Sequence, residues 1–405
     1  MKLWLRLLLL LILPLAARAD DSRWSDIRTG LQRIRAEGPH HTETRGASPE
    51  LTGVKHQLRD WIESHLARLP SDGNDSQSGK ETALAAELNT EIKRARLLCS
   101  AEEECAKNDQ TALGFLGQIS LEFRQRESFL VVQTAVGVDC GFDESAYLYR
   151  WSQGAWKRIW QSEQNLYTKD DYAVQTLHAV MVSPSLKEGT PLVLTLGSAP
   201  WCSSNWRAVY YRLWRTYPDG AEPKLLLDRT EPAYLGGHDI PIQGSVGRDD
   251  VLIEFTIGSM DSDLHSRQAV RHYSVQGDQV QRVAPIALSP RDFTEEWITN
   301  SWEQSKLWSQ SSSLVVLQHE HDQALSDVSN GEFERTRHCR TSPDLWQIGL
   351  NLSEKNKGMV YFLVRWQPPY RFTMVRVQHQ PSPSCTEDDR ADEYRTLFPI
   401  QDWRE

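Results

Sequence analysis

FLVVQTAVG (129–137), a short polar break, then AYLYRWSQGAWKRIW (146–160): this stretch decides the fold. An apolar strand ends near a glycine, a second strand carries Tyr149, and Ser152-Gln153-Gly154 turns the chain into a third strand ending at Trp160. Glycine supplies the positive φ that a tight hairpin turn requires. The pattern then recurs. Leu192 to Gly197, Ala208 to Trp214 and Lys224 to Leu227 form a second copy, turned by Pro218-Asp219-Gly220. Val251 to Gly258, Ala269 to Val275 and Gln279 to Val283 form a third, turned by Gln276-Gly277-Asp278. Tyr149, Tyr211 and Tyr273 hold the same place in each copy, 62 residues from one to the next. A fourth copy comprises Trp346 to Leu352, Met359 to Trp366 and Arg371 to Val377, with Pro368-Pro369 at its turn. Its Val364 stands where the tyrosines stood, 91 residues beyond Tyr273, so about 29 residues are inserted. The segment 290–312 accounts for most of them and has a helical pattern from Thr294 to Lys306.

A further strand candidate precedes each copy: Leu116 to Arg124, Val174 to Val182, Ile240 to Val246 and Phe333 to Cys339. Four strands per unit make a small sheet that cannot bury both faces alone, so repeats of it must pack on one another. The expected fold is therefore mainly β and propeller-like, with about four units of ~62 residues. A two-sheet β-sandwich with accidental spacing is the alternative. The segment Tyr149 to Trp156 resembles the blade hairpins of sialidase-type propellers. The aspartate-bearing turn motif of that family is missing, so the resemblance implies architecture and carries over no functional residue.

The first nineteen residues have the pattern of a signal peptide: Lys2 and Arg6, an apolar run from Leu7 to Leu15, and Ala17-Arg18-Ala19 as the cleavage site. That run is too short to span a bilayer, which takes ~20 residues. The expected product is secreted or periplasmic, without a membrane span. Removing the leader moves the net charge from −10 to −13, which argues against nucleic acid and anionic membrane as partners. Cys99, Cys105, Cys140, Cys202, Cys339 and Cys385 all follow the leader. An even number in an exported chain reads as disulfides. The repeat places Cys140 and Cys202 at matching loops of adjacent units, Cys99 and Cys105 are close in sequence, and Cys339 and Cys385 flank the fourth unit. Those are the expected pairs, and no pair has the Cys-x2-Cys spacing of a zinc site.

Residues 20–111 differ in character. Ile27, Leu31 and Ile34, then Leu58, Ile62, Leu66 and Leu69, recur at helical spacing, and Glu81 to Leu98 forms a third helical stretch. Pro70 to Gly79 is a breaker-rich connection. This segment is either a separable helical module or a cover on one end of a β domain covering 112–385, with 386–405 as a tail.

Candidate site residues come from the loops between the first two strands of each unit. Asp139, Asp143 and Glu144 belong to the first, Trp201, Asn205 and Trp206 to the second, and Asp261, Asp263 and His265 to the third. Trp201, Asn205, Trp206 and His265 are the binding candidates, because aromatic faces stack on sugar rings and polar groups take hydroxyls. Asp139, Asp143, Asp261 and Asp263 are the weak catalytic candidates for a glycan hydrolase, which needs two carboxyls ~5–10 Å apart. Solvated loops explain the same residues without any site. If 313–320 is a strand, His319 and His321 share a face and present a pair of imidazoles to a divalent metal. No other cofactor is implied. The expectation is an exported, non-catalytic ligand- or glycan-binding protein. The alternatives are a glycan-directed hydrolase, or an envelope assembly protein with a protein partner.

Overall fold

The computed structural model describes residues 24–37, 49–69, 79–98, 113–124, 128–138, 141–163, 176–184, 190–198, 206–217, 221–234, 242–261, 266–325, 331–352, 358–368 and 371–387. The leader, Asp139, Trp201, Asn205, Asp263, His265, Cys99, Cys105, Cys140 and Cys202 lie outside these residues, as does the tail after Glu387. The chain divides into two compact units, 1–230 and 231–405.

The first unit begins with α1 (24–37), α2 (Pro49–Leu66) and α3 (Lys80–Arg94). Two antiparallel sheets follow. The first contains β1 (Ser120–Arg124), β2 (Phe129–Val138), β3 (Gly141–Ser152) and β4 (Ala155–Ser162). The second contains β5 (Thr176–Val182), β6 (Leu192–Ser198), β7 (Trp206–Arg215) and β8 (Lys224–Tyr234). In both, spatial order equals chain order, so each sheet is a simple meander. The β2 and β6 sequences are almost continuously apolar, and every residue of β6 is buried, as a strand covered on both faces requires.

The helices do not form a separate module. Ile27, Leu31, Leu58, Trp61, Leu88 and Ile92 share one hydrophobic core with Leu130, Val132 and Val136 of the first sheet. The shared core fits the cover alternative for this segment. A polar seam reinforces it. Lys55 Nζ lies 2.9 Å from Asp143 Oδ2, with both side chains wholly buried. One turn on, Arg59 Nη1 donates to both oxygens of Glu163 at 3.1 Å. The Tyr147 hydroxyl also donates to Glu163, and Tyr149 Oη donates to Glu63 Oε1 at 3.0 Å. Lys55, Arg59 and Glu63 are four residues apart, so one helical stripe carries the whole seam.

The second unit holds a meander of β9 (Ile242–Val246), β10 (Asp250–Gly258), β11 (Ser266–Gln276) and β12 (Gln279–Arg282). Then come α4 (Pro290–Thr299), α5 (Trp302–Ser305) and α6 (Leu314–Leu325). The last sheet has the order β17-β16-β15-β14-β18, with β13 also on β15. Its strands are β13 (Glu332–Phe333), β14 (Arg337–Cys339), β15 (Leu345–Leu352), β16 (Gly358–Gln367), β17 (Arg371–Gln378) and β18 (Cys385–Glu387). Phe293, Trp297 and Ile298 of α4 pack in one core with Ile348, Phe362 and Met374 of that sheet.

The spaced residues lie on the second strand of each central pair, but Tyr149, Tyr273 and Val364 oppose the second residue of the preceding strand whereas Tyr211 opposes the fifth. Tyr149 faces Leu130, Tyr211 faces Leu196, Tyr273 faces Val251, and Val364 faces Trp346, always across the central strand pair. All four are buried. Two details depart from expectation. The fourth sheet gains β18, which pairs β14 with Cys339 directly opposite Cys385, and the two are joined as a disulfide. That bond matches the expected pairing. Closing 46 residues of chain, it stabilises by ~2–4 kcal/mol, chiefly through the unfolded state. Residues 314–325 are also helical where a strand was entertained.

Candidate functional site

Asp143 and Glu144 are not in a loop. The hairpin between β2 and β3 is so tight that both lie on β3, where Asp143 faces Val136. Asp143 is wholly buried against Lys55, which removes it from substrate. Asp261 is also buried and ion-paired, with Arg291 of α4. Both side chains are buried and ion-paired, so the structure presents neither at an accessible surface. His319 and His321 do not share a face either. On α6 two residues differ by about 200° around the axis. His319 is exposed. His321 is buried between the rings of Trp297 and Trp302, at 4.9 and 5.5 Å, with Nε2 3.1 Å from the carbonyl of Asn300. Among the described residues no three His, Cys, Asp or Glu side chains group as a metal site.

Trp206 is the binding candidate that stands out. It opens β7, and its side chain keeps 45% of its surface exposed. Ser198 pairs with Val209, so Trp206 and Arg207 project past the end of the β6–β7 ladder. Three polar residues lie at the same end. His178 sits at a register shift in β5, between Leu177 and Ala179, where a bulge re-aims its side chain. Its Nε2 is 2.8 Å from Ser198 Oγ, and Arg207 Nη1 donates to the same oxygen at 3.4 Å. Burial, aided by the Arg207 charge, lowers the imidazole to about 4, so His178 is neutral near pH 7. Beside it, Glu144 accepts the Leu177 N–H at 2.5 Å. Burial pushes that carboxyl up to about 7, against the pull of the backbone bond, and the nearby Asp143 charge adds to the rise.

Chemically, the rim combines an aromatic face with a guanidinium, a neutral imidazole and a hydroxyl. Ser198 and His178 have the spacing of a nucleophile and its base. Ser198 has no exposed surface, however, so no substrate carbon can reach its oxygen. Ser198 Oγ instead joins His178 and Arg207 in one hydrogen-bonded set. Sequence reasoning passed over His178, Ser198 and Arg207. A lone histidine in the otherwise apolar Thr176–Val182 strand was the available signal.

No protein-family model matches the chain, and no curated protein is significantly similar to it.

Proposed function

We propose that the protein is an exported, non-catalytic binding protein whose four antiparallel sheets are successive units of a propeller-like repeat, and that the rim of the second sheet takes a neutral glycan. The observation that carries this reading is the exposed indole of Trp206 beside a prearranged polar set, His178, Ser198 and Arg207. A sugar ring offers a C–H face to stack on the indole and hydroxyls for the guanidinium. Trp201 and Asn205, which precede Trp206 in sequence, lie outside the described residues. Export is supported by the leader pattern and by the Cys339–Cys385 bond, a feature of oxidising compartments. Among the described residues no helix is long and apolar enough to cross a membrane.

The test is a titration of the mature chain with a panel of neutral oligosaccharides by calorimetry. Trp206→Ala is expected to weaken the best ligand ~10- to 30-fold, the loss typical of a tryptophan at the centre of a contact. Trp206→Phe should retain most of the affinity. Equal affinity in the wild type and Trp206→Ala would remove the rim from the site.

A further inference from the structure

A carboxyl group is built into the joint between the first and second sheets. Phe129, Val131, Ala146 and Leu148 of the first sheet share a hydrophobic core with Leu177, Val180, Val193 and Tyr210 of the second. Side chains alternate along a strand. Glu144 therefore leaves β3 on the side of Ala146 and Leu148, while Asp143 leaves on the other, toward Lys55. Three hydrogen bonds brace the joint where Glu144 meets it. Glu144 accepts the Leu177 N–H at 2.5 Å, Thr176 Oγ1 donates to the Phe142 carbonyl at 3.3 Å, and Tyr210 Oη donates to the Thr176 carbonyl at 2.9 Å. The β5–β6 register slips just after Leu177, so the carboxyl holds the backbone at the edge of the bulge that carries His178.

The surroundings decide which form of Glu144 the joint favours. The neighbouring strands β2 and β6 carry no titratable side chain. On β3 the Asp143 carboxylate repels a second negative charge, and Lys55 of α2 is already engaged by Asp143 at 2.9 Å. Glu163, just past β4, is turned to Arg59 and His56 on the helical side. On β5 the neutral His178 meets Ser198, as does Arg207 of β7. Also on β7, burial holds the Tyr210 hydroxyl protonated, and Arg212 lies over its ring at 5.1 Å while bonding Asp228. A carboxylate at the edge of an apolar core gives up hydration, so the neutral acid is the form that suits a closed joint.

We propose that Glu144 is a proton switch in the joint between the first two sheets, closing the joint when neutral and weakening it when ionised. This device needs no ligand and does not rest on the glycan reading. Its sign is fixed by linkage. Burial, opposed by the Leu177 N–H and aided by the Asp143 charge, raises the folded carboxyl from 4.5 to about 7. The stabilisation is fully present below 4.5 and is lost as pH rises to about 7, so the joint is firmest in mild acid. The test is urea denaturation of the mature full chain and of Glu144→Gln, which keeps an acceptor for Leu177 and carries no charge. Groups common to both proteins cancel in the comparison. The unfolding constant of the wild type relative to the variant is expected to rise about 10- to 30-fold between about pH 5.5 and about pH 8.5. A wild-type measurement covers the case of a variant that fails to fold. In protein labelled with 15N-leucine, the Leu177 amide, identified by its loss in Leu177→Ile, should shift with a midpoint near 7. Parallel pH profiles in the two proteins, or a Leu177 amide that does not move or moves only near 4.5, would overturn the proposal.

Discussion

Glu296→Gln is expected to lower the unfolding free energy at neutral pH by about 3–5 kcal/mol, the cost of removing one partner from a buried ion pair. Glu296 sits on α4 with its side chain 2% exposed, and it accepts from Arg267, Arg271 and Arg282 at 2.9, 2.9 and 2.7 Å. Glutamine keeps the shape and an acceptor but leaves three guanidiniums short of a charge. Burial alone would push the carboxyl up. The three arginines outweigh it and hold Glu296 well below the ordinary 4.5. The sign of the pH effect follows. A group whose folded pKa is depressed stabilises fully above its unfolded value and loses that stabilisation as pH falls through the folded one. The gap between wild type and Glu296→Gln should therefore be constant around neutral pH and close in acid below ~4.5. Urea denaturation across that range measures it. Glu303→Gln, which removes an exposed partner of Lys306, should change little. A Glu296→Gln protein as stable as wild type at neutral pH would show that the network does not hold α4 to the third sheet.

The second large effect is expected at the helical cover. Lys55→Met strands the carboxylate of Asp143 in a wholly buried place, and should cost about 3–5 kcal/mol. The double change Lys55→Met/Asp143→Leu removes both charges and substitutes apolar volume, so it should recover most of the loss. Denaturation midpoints of the two singles and the double form the cycle. A double variant no more stable than Lys55→Met would show that the stranded carboxylate is not the source of the loss.

The strands and hairpins were legible, but the equal spacing of the tyrosines was only partly structural: Tyr149 and Tyr273 oppose the second residue of the preceding strand, whereas Tyr211 opposes the fifth residue of β6. The cover was legible only as helices. Its docking depends on Lys55 meeting Asp143 across 88 residues, and no local pattern announces such a pair. His321 misled for a different reason. Val315 and Val316 beside Leu314 and Leu317 give a short β-branched apolar run, but 84% and 59% of the two valines stay exposed while Leu317 and His321 face the core. That spacing of four is helical, and packing on Trp297 settled it. Trp206 was legible only as an aromatic flanking Cys202 in an expected loop, and the structure places it at the start of β7. Its polar neighbours were not, since His178 and Ser198 join only across a ladder with a bulge.

The claim that matching loops of successive units lie together is tested most directly by peptide mapping of the unreduced protein. Cys339 and Cys385 are already bonded to each other, which leaves Cys99, Cys105, Cys140 and Cys202 to be paired. The expected result is one peptide pair joining Cys140 to Cys202, tying the first-sheet hairpin to the connection that carries Trp201 and Trp206, and a second joining Cys99 to Cys105. Cys140 bonded to Cys99 or Cys105, or recovered as a free thiol, would contradict both the alignment of the repeats and the shared rim built on it.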